Sequence, residues 1–194
     1  MLAPSTSLEK SFLERSAKMA RAKNAIGREA AKLVREGDTV VLDSGTTTRY
    51  VARYLASRHN VTVVTTSLAV LEELAGSPSV QVRLTGGVYR RSSHDLTGNS
   101  VVDVLGGIYA DKVFFGAAAL SFHRGVMNFD AEMPSVFLRA ARERILVIDS
   151  SKIGEEAAYR LCAVEKCDKV VTDKGIKPAD LTRLRKLSNV LVAD

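Results

Sequence analysis

The sequence predicts an α/β domain on a doubly wound, mostly parallel sheet, and three observations carry that prediction. Seven short apolar, β-branched runs alternate with segments of helical character, and each run reads as a strand buried on both faces. The carboxyl ends of these runs turn small, hydroxylic, glycine-rich or charged, which is where such a sheet presents itself to a polar ligand. No internal repeat and no low-complexity linker breaks the alternation.

From Leu8 to Arg35 there is no proline and one glycine, Gly27, which suits one long helix or two joined near the middle. Phe12, Met19, Ile26, Ala30 and Leu33 form its core-facing stripe, and Lys18, Arg21, Arg28, Lys32 and Arg35 project from the opposite side. Gly37-Asp38 stops it. Thr39 to Asp43 is the first strand and Thr46 to Ser57 the helix after it. Val61 to Thr66 repeats the strand signal, and Ser67 caps a helix running to Leu74. Val80 to Leu84 ends in Gly86-Gly87, Lys112 to Phe115 ends in Gly116, and Arg144 to Ile148 ends in Asp149-Ser-Ser. Lys169 to Thr172 and Asn189 to Val192 complete the set.

The 194 residues suit a single domain, and 46% hydrophobic with 26% charged residues and four prolines is the composition of a globular chain rather than a disordered one. No apolar run is long enough to span a membrane and the start lacks the order of a secretory signal, so the expected compartment is the cytoplasm. Two cysteines, Cys162 and Cys167, are too few for a disulfide framework or a zinc site and are expected to be reduced and structural. The net charge of +6 is concentrated near the start, where residues 1–60 hold 11 Lys/Arg against 6 Asp/Glu. Either a solvated helix face or an anionic partner explains that excess.

The sharpest motif is Asp43-Ser44-Gly45-Thr46-Thr47-Thr48, directly after a strand and before a helix. Gly45 permits a tight turn, the hydroxyls donate, and the helix start offers unpaired amides and the positive end of its dipole, which together cradle an anion. Plain helix capping needs one hydroxyl, whereas four of these residues carry one. The Gly-Lys-Ser/Thr ending of a P-loop is missing, so the expected anion is a single phosphate and not a magnesium-bound triphosphate. Gly86-Gly87 is either a close approach to ligand or a bare turn, Lys152 either a phosphate partner or a solvated loop lysine. Glu132 is either a first-turn acid or a ligand to sugar hydroxyls. His59, His94 and His123 have no metal-binding spacing, and a Gly-x-Ser-x-Gly nucleophile elbow is absent.

Taken together, these stretches resemble the C-terminal sensor domain of DeoR-family repressors over nearly the whole chain. The likeness rests on Glu9 to Arg15, Ile26 to Val34 with Gly37-Asp38-Thr39, Leu42 to Thr48, Val63 to Ser67, Thr85-Gly-Gly87, Leu96-Thr-Gly98, Asp111 to Gly116 and Val147 to Gly154. It implies a fold similar to ribose-5-phosphate isomerase and coenzyme A transferases, a phosphorylated sugar or polyol as effector, no cofactor, no catalysis and a homo-oligomeric repressor. In that family a winged helix-turn-helix domain that binds operator DNA precedes the sensor. Residues 1–8 are too few for one, so 1–194 is expected to be a single effector-binding domain with 9–35 as a helical arm leading from the DNA-binding domain. Matched residue by residue, Ser44, Gly45, Thr46, Thr47 and Thr48 fall on the family's phosphate loop. Asp43, Thr66, Gly86, Gly87, Glu132 and Lys152 fall around the sugar. Thr66 stands where the family often has asparagine, Ala117-Ala-Ala119 replaces a turn that carries aspartate, and Met133-Pro-Ser135 lies where a lysine commonly follows the glutamate.

Two rival readings remain. A sugar-phosphate isomerase needs a carboxylate base, which the alanine turn removes although Glu132 is left. A dinucleotide-dependent oxidoreductase needs Gly-x-Gly-x-x-Gly after the first strand, where this chain has Ser-Gly-Thr-Thr-Thr. The expected mechanism is a population shift in which effector tightens the Ser44–Thr48 loop and repositions the N-terminal helix.

Overall fold

The structure is a computed structural model that describes residues 12–129 and 134–194. Helices α1 (Phe12–Ala17) and α2 (Ala20–Ala31) divide the proline-free stretch, because Met19 between them takes a left-handed backbone with φ 56°. α2 packs on the domain through the expected stripe: Ile26 and Ala30 are buried, as is Ala31. Lys18, Arg21, Arg28, Lys32 and Arg35 are exposed, as the charge pattern requires.

The chain continues through β1 (Thr39–Leu42), α3 (Thr46–Leu55), β2 (Val61–Thr65), α4 (Leu68–Leu74) and β3 (Val80–Leu84). A short hairpin of β4 (Val88–Arg90) and β5 (Asp95–Thr97) precedes α5 (Asn99–Gly106) and β6 (Ala110–Phe115). Then come β7 (Ala119–Ser121), β8 (Gly125–Asn128), α6 (Pro134–Arg139), β9 (Ala141–Val147), β10 (Tyr159–Cys162), β11 (Lys169–Asp173), α7 (Pro178–Arg185) and β12 (Asn189–Ala193). The seven runs read as strands all join one sheet, in the order β12-β11-β9-β6-β1-β2-β3, and every pairing is parallel. β10, β8 and β7 make a separate antiparallel sheet. The additional strands are three or four residues long and too mixed in polarity to announce themselves as periodic runs.

Alternation along the strands builds two cores. Val40, Leu42, Phe114, Ile145 and Val147 face Ile26, Val51, Leu55 and Val70 of α2, α3 and α4. Val41, Val113, Phe115, Leu146 and Ile148 face Val101, Leu105, Phe137 and Leu184 of α5, α6 and α7. Helices on both faces explain why Val40 to Leu42, Val113 to Phe115 and Ile145 to Val147 are apolar without interruption. Ser67 caps α4 as its sequence position implies, its Oγ accepting from the Val70 amide at 3.3 Å. Among the described residues no helix is long and apolar enough to cross a membrane, and Cys162 and Cys167 are both free.

Asp38 does more than end a helix. Its Oδ2 accepts from Lys112 Nζ at 2.6 Å and from the Arg35 amide at 2.9 Å, and the ion pair is largely enclosed. Removing one partner leaves a lysine charge uncompensated in the sheet. Asp38→Ala is therefore expected to lower unfolding stability by about 3 kcal/mol, read from the denaturant midpoint.

Candidate ligand-binding cleft

In the sheet order the chain winds outward from β1 to β3, then returns to the other side of β1 at β6. The switch point of the sheet thus lies between β1 and β6, where open α/β sheets place their ligands. Asp43 ends β1 there and ties the two strands together. Its Oδ2 accepts from the Gly116 amide at 2.7 Å and its Oδ1 from the Gly45 amide at 2.8 Å. The Thr48 hydroxyl lies 2.8 Å from Asp43 Oδ1 and 2.7 Å from the Gly45 carbonyl, so its single proton holds the loop from beneath. Burial pushes the Asp43 carboxyl above its ordinary range, against the two amides and the hydroxyl that favour its charged form.

A cleft of about 950 Å³ opens over this point. Asp43, Ser44, Gly45, Thr46 and Thr47 form one wall, and Gly116, Ala117 and Ala118 after β6 adjoin them. No side chain caps α3, whose first-turn residues Thr46 and Thr47 border the cleft, so the positive end of the helix is directed at open space. Asp149, Ser151 and Lys152 line the third side, and Asn128, Phe129, Phe137 and Leu161 contribute a partly apolar wall. The Asp149-Ser-Ser-Lys turn is held from behind by Asp173, which accepts from the Ser150 amide at 2.7 Å and from its hydroxyl at 2.9 Å.

Lysines reach the cleft from α2 and from the Asp149-Ser-Ser-Lys turn. Lys152 Nζ donates to the Ala117 carbonyl at 2.7 Å, and burial pushes its ammonium down while Asp149 and Asp43 partly restore it. Lys23 of α2 is buried, borders the cleft and donates to the Arg15 carbonyl. Burial, reinforced by Lys152, Arg15 and Lys18, brings its pKa down to about 8. Arg15 of α1 and Lys18, just past its end, also border the cleft.

Of the residues singled out in sequence, Asp43, Ser44, Gly45, Thr46, Thr47 and Lys152 share this cleft, while Thr48, Thr66, Gly86 and Gly87 do not line it. Thr48 is turned inward onto Asp43. Thr66 is fully buried, and its hydroxyl meets no partner among the described residues. Gly86 and Gly87 make the turn into β4; Gly87 has φ 121°, and a Cβ there would lie 2.6 Å from the Thr97 carbonyl, so the hairpin accounts for that glycine. Glu132 lies outside the described residues. Sequence reasoning missed Lys23, although its signal was present: it falls four residues after Met19 and three before Ile26, a lysine set in the apolar stripe.

Fold and cleft together define the class, a doubly wound α/β domain with a ligand-sized opening at its switch point. The chain belongs to the DeoR family: residues 18–174 match the DeoR C terminal sensor domain. It is 31% identical over 183 residues to a protein of Escherichia coli O157:H7 named for repression of the aga operon, covering 93% of this chain and 68% of that one. To the HTH-type transcriptional repressor GlcR of Bacillus subtilis (strain 168) it is 30% identical over 154 residues, covering 78% of this chain and 59% of that one. The chain thus spans about two thirds of the length of these regulators. In three dimensions it is similar to a D-ribose-5-phosphate isomerase solved with phospho-erythronic acid, with TM-score 0.51 and 15% identity over 69% of this chain and 54% of that chain, a likeness of fold alone. The chain is the sensor domain of a transcriptional regulator, and the relatives it matches by sequence are regulators rather than enzymes.

Proposed function

We propose that the domain senses a phosphorylated sugar or polyol, seats its phosphate on the amides of Thr46 and Thr47 with Ser44 and Gly45, and does no chemistry on it. Effector occupancy then changes the affinity of the full-length regulator for operator DNA. The observation that carries the reading is the start of α3, without a side-chain cap, on a cleft that Lys23 and Lys152 also line, since helix amides and ammonium groups together favour an anion. Asp43 orders the loop through Gly45, Gly116 and Thr48, and Asn128 and Lys152 stand on the side where the sugar would lie. Ala117-Ala-Ala119 supplies no carboxylate base, which favours binding over isomerisation.

A thermal-shift screen over sugar and polyol phosphates tests this. A cognate ester at about 100 times its Kd stabilises the folded state by about 2.7 kcal/mol, and the matching unphosphorylated sugar is expected to give no shift. Equal shifts from ester and free sugar would remove the phosphate from the reading. Turnover of ribose 5-phosphate or glucosamine 6-phosphate by the same preparation would remove the sensor assignment in favour of an enzyme.

A further inference from the structure

β8 ends at the cleft with Asn128, and the Ala117-Ala118 peptide unit borders the same opening after β6. Two different side chains hold the two polar groups of that unit. Lys152 Nζ donates to its carbonyl, that of Ala117, at 2.7 Å. Its amide, that of Ala118, is shared between Asn128 Oδ1 at 2.9 Å and the Met127 carbonyl at 3.0 Å. The carbonyl and N–H of a trans peptide point in opposite directions, so Lys152 and Asn128 stand on opposite sides of the unit. The Ala118 amide also settles which way Asn128 is turned. An N–H can meet only the oxygen of a carboxamide, so Nδ2 and its two protons are directed elsewhere. Among the described residues Nδ2 meets no acceptor, and it is not sealed inside the protein, since Asn128 is half-buried and borders the cleft. Phe129, Phe137 and Leu161, which share its wall, have no side-chain acceptor to offer it.

We infer that Asn128 is a specificity-determining residue of the cleft: its Nδ2 donates to an uncharged acceptor oxygen, a carbonyl or a hydroxyl, on the part of the effector that is not phosphate. The inference rests on the phosphate reading above and adds the class of the remainder, which is neither an acid nor an amine where it meets Asn128. The oxygen of Asn128 is committed to the Ala118 amide and cannot turn to a ligand ammonium without breaking that bond. A carboxylate is disfavoured by the charge of the walls. The described residues lining the cleft include five acidic side chains, Glu155 and Glu156 among them, against five basic ones. A bound phosphate therefore leaves no surplus of positive charge to balance a second anion. An effector without an acceptor at this point leaves the Asn128 N–H groups shut away from water and unpaired, which is the strongest form of discrimination a neutral side chain offers.

Calorimetric titration of the whole chain tests this, with inorganic phosphate as the reference. Ribose 5-phosphate, glucose 6-phosphate and N-acetylglucosamine 6-phosphate serve as uncharged esters, 6-phosphogluconate as the acid and glucosamine 6-phosphate as the amine. The tightest ligand is expected among the uncharged esters, about tenfold or more tighter than inorganic phosphate. Asn128→Asp keeps an acceptor for the Ala118 amide and loses both donor protons. Asn128→Leu loses the donor without adding charge, while the Met127 carbonyl still accepts from Ala118. Both variants are expected to melt with the parent, to bind inorganic phosphate as it does, and to bind the best ester about tenfold more weakly, the size of one hydrogen bond whose partner is left unpaired. Should one of them fail to fold, the other carries the comparison. If no uncharged ester exceeds inorganic phosphate, or if the acid or the amine leads the series, the class is overturned and the phosphate seat stands. Ester affinity undiminished in Asn128→Leu overturns the donor, and so does an equal loss for ester and inorganic phosphate. Binding of no phosphate compound at all overturns the phosphate reading as well.

Discussion

Gly27→Ala is expected to destabilise the domain by about 2 kcal/mol and lower its Tm by about 4–8 °C. The same change at an exposed helix position stabilises by up to about 1 kcal/mol, because glycine is a poor helix former. The reversal of sign comes from the crossing of α2 over α3. A Cβ on Gly27 would lie 2.5 Å from both the carbonyl carbon and the Cβ of Tyr50, and 2.8 Å from the Tyr50 carbonyl oxygen. Backbone cannot move aside as a flexible side chain can, so the helices must separate and loosen Ile26, Ala30, Val51 and Leu55 between them. Thermal or denaturant unfolding decides the matter, and a Gly27→Ala protein as stable as the parent would mean that the crossing is not close. Gly27→Val, adding two further methyl groups, should be worse still.

Lys23→Met is expected to weaken binding of a phosphate ester about 10- to 100-fold, the size of one lost charge-assisted hydrogen bond. The ligand-free protein should become more stable near neutral pH, by on the order of 1–3 kcal/mol, because a buried ammonium facing Lys152, Arg15 and Lys18 is exchanged for an apolar chain of similar length. Loss of affinity with a gain of stability separates a ligand-directed residue from a structural one. The pH dependence follows from the same group. Lys23 titrates near 8 in the folded chain against an ordinary 10.5, so the unfolded state holds the extra proton between those values. Stability of the ligand-free protein accordingly rises through that window. Affinity for phosphate runs the opposite way: the anion selects the protonated lysine, so binding weakens as pH rises above about 8, by up to tenfold per unit. Calorimetry in buffers of different ionisation enthalpy should register proton uptake on binding at pH 8 in the parent and none attributable to this site in Lys23→Met. Unchanged affinity in the variant would place the phosphate elsewhere.

Expectation and structure agree most closely where the physics is local. Val40 to Leu42 and Val113 to Phe115 are apolar on both faces because helices cover both, and runs of that kind are visible without knowing which neighbours they meet. Ser67 is recognisable as a cap for the same reason. The hydroxyl-rich turn after β1 was likewise legible, since a strand, a glycine and a helix start in succession bring amides to one point. Within that turn the roles diverge: Thr46 and Thr47 border the cleft, and Thr48 is spent on Asp43, a distinction of helix phase that residue type does not reveal.

By itself the sequence determined the class of fold, the strands of the main sheet and the loop at which an anion is expected, because alternation, turn chemistry and helix polarity act over a few consecutive residues. Tertiary structure alone decided that Lys23 faces the cleft, that Gly27 is a helix crossing, that Gly87 serves a hairpin and that α1 closes one side of the site. Each of these depends on what lies across a gap from the residue, from Lys152, Tyr50 or Thr97, and distance through space is the one quantity that order along a chain does not contain.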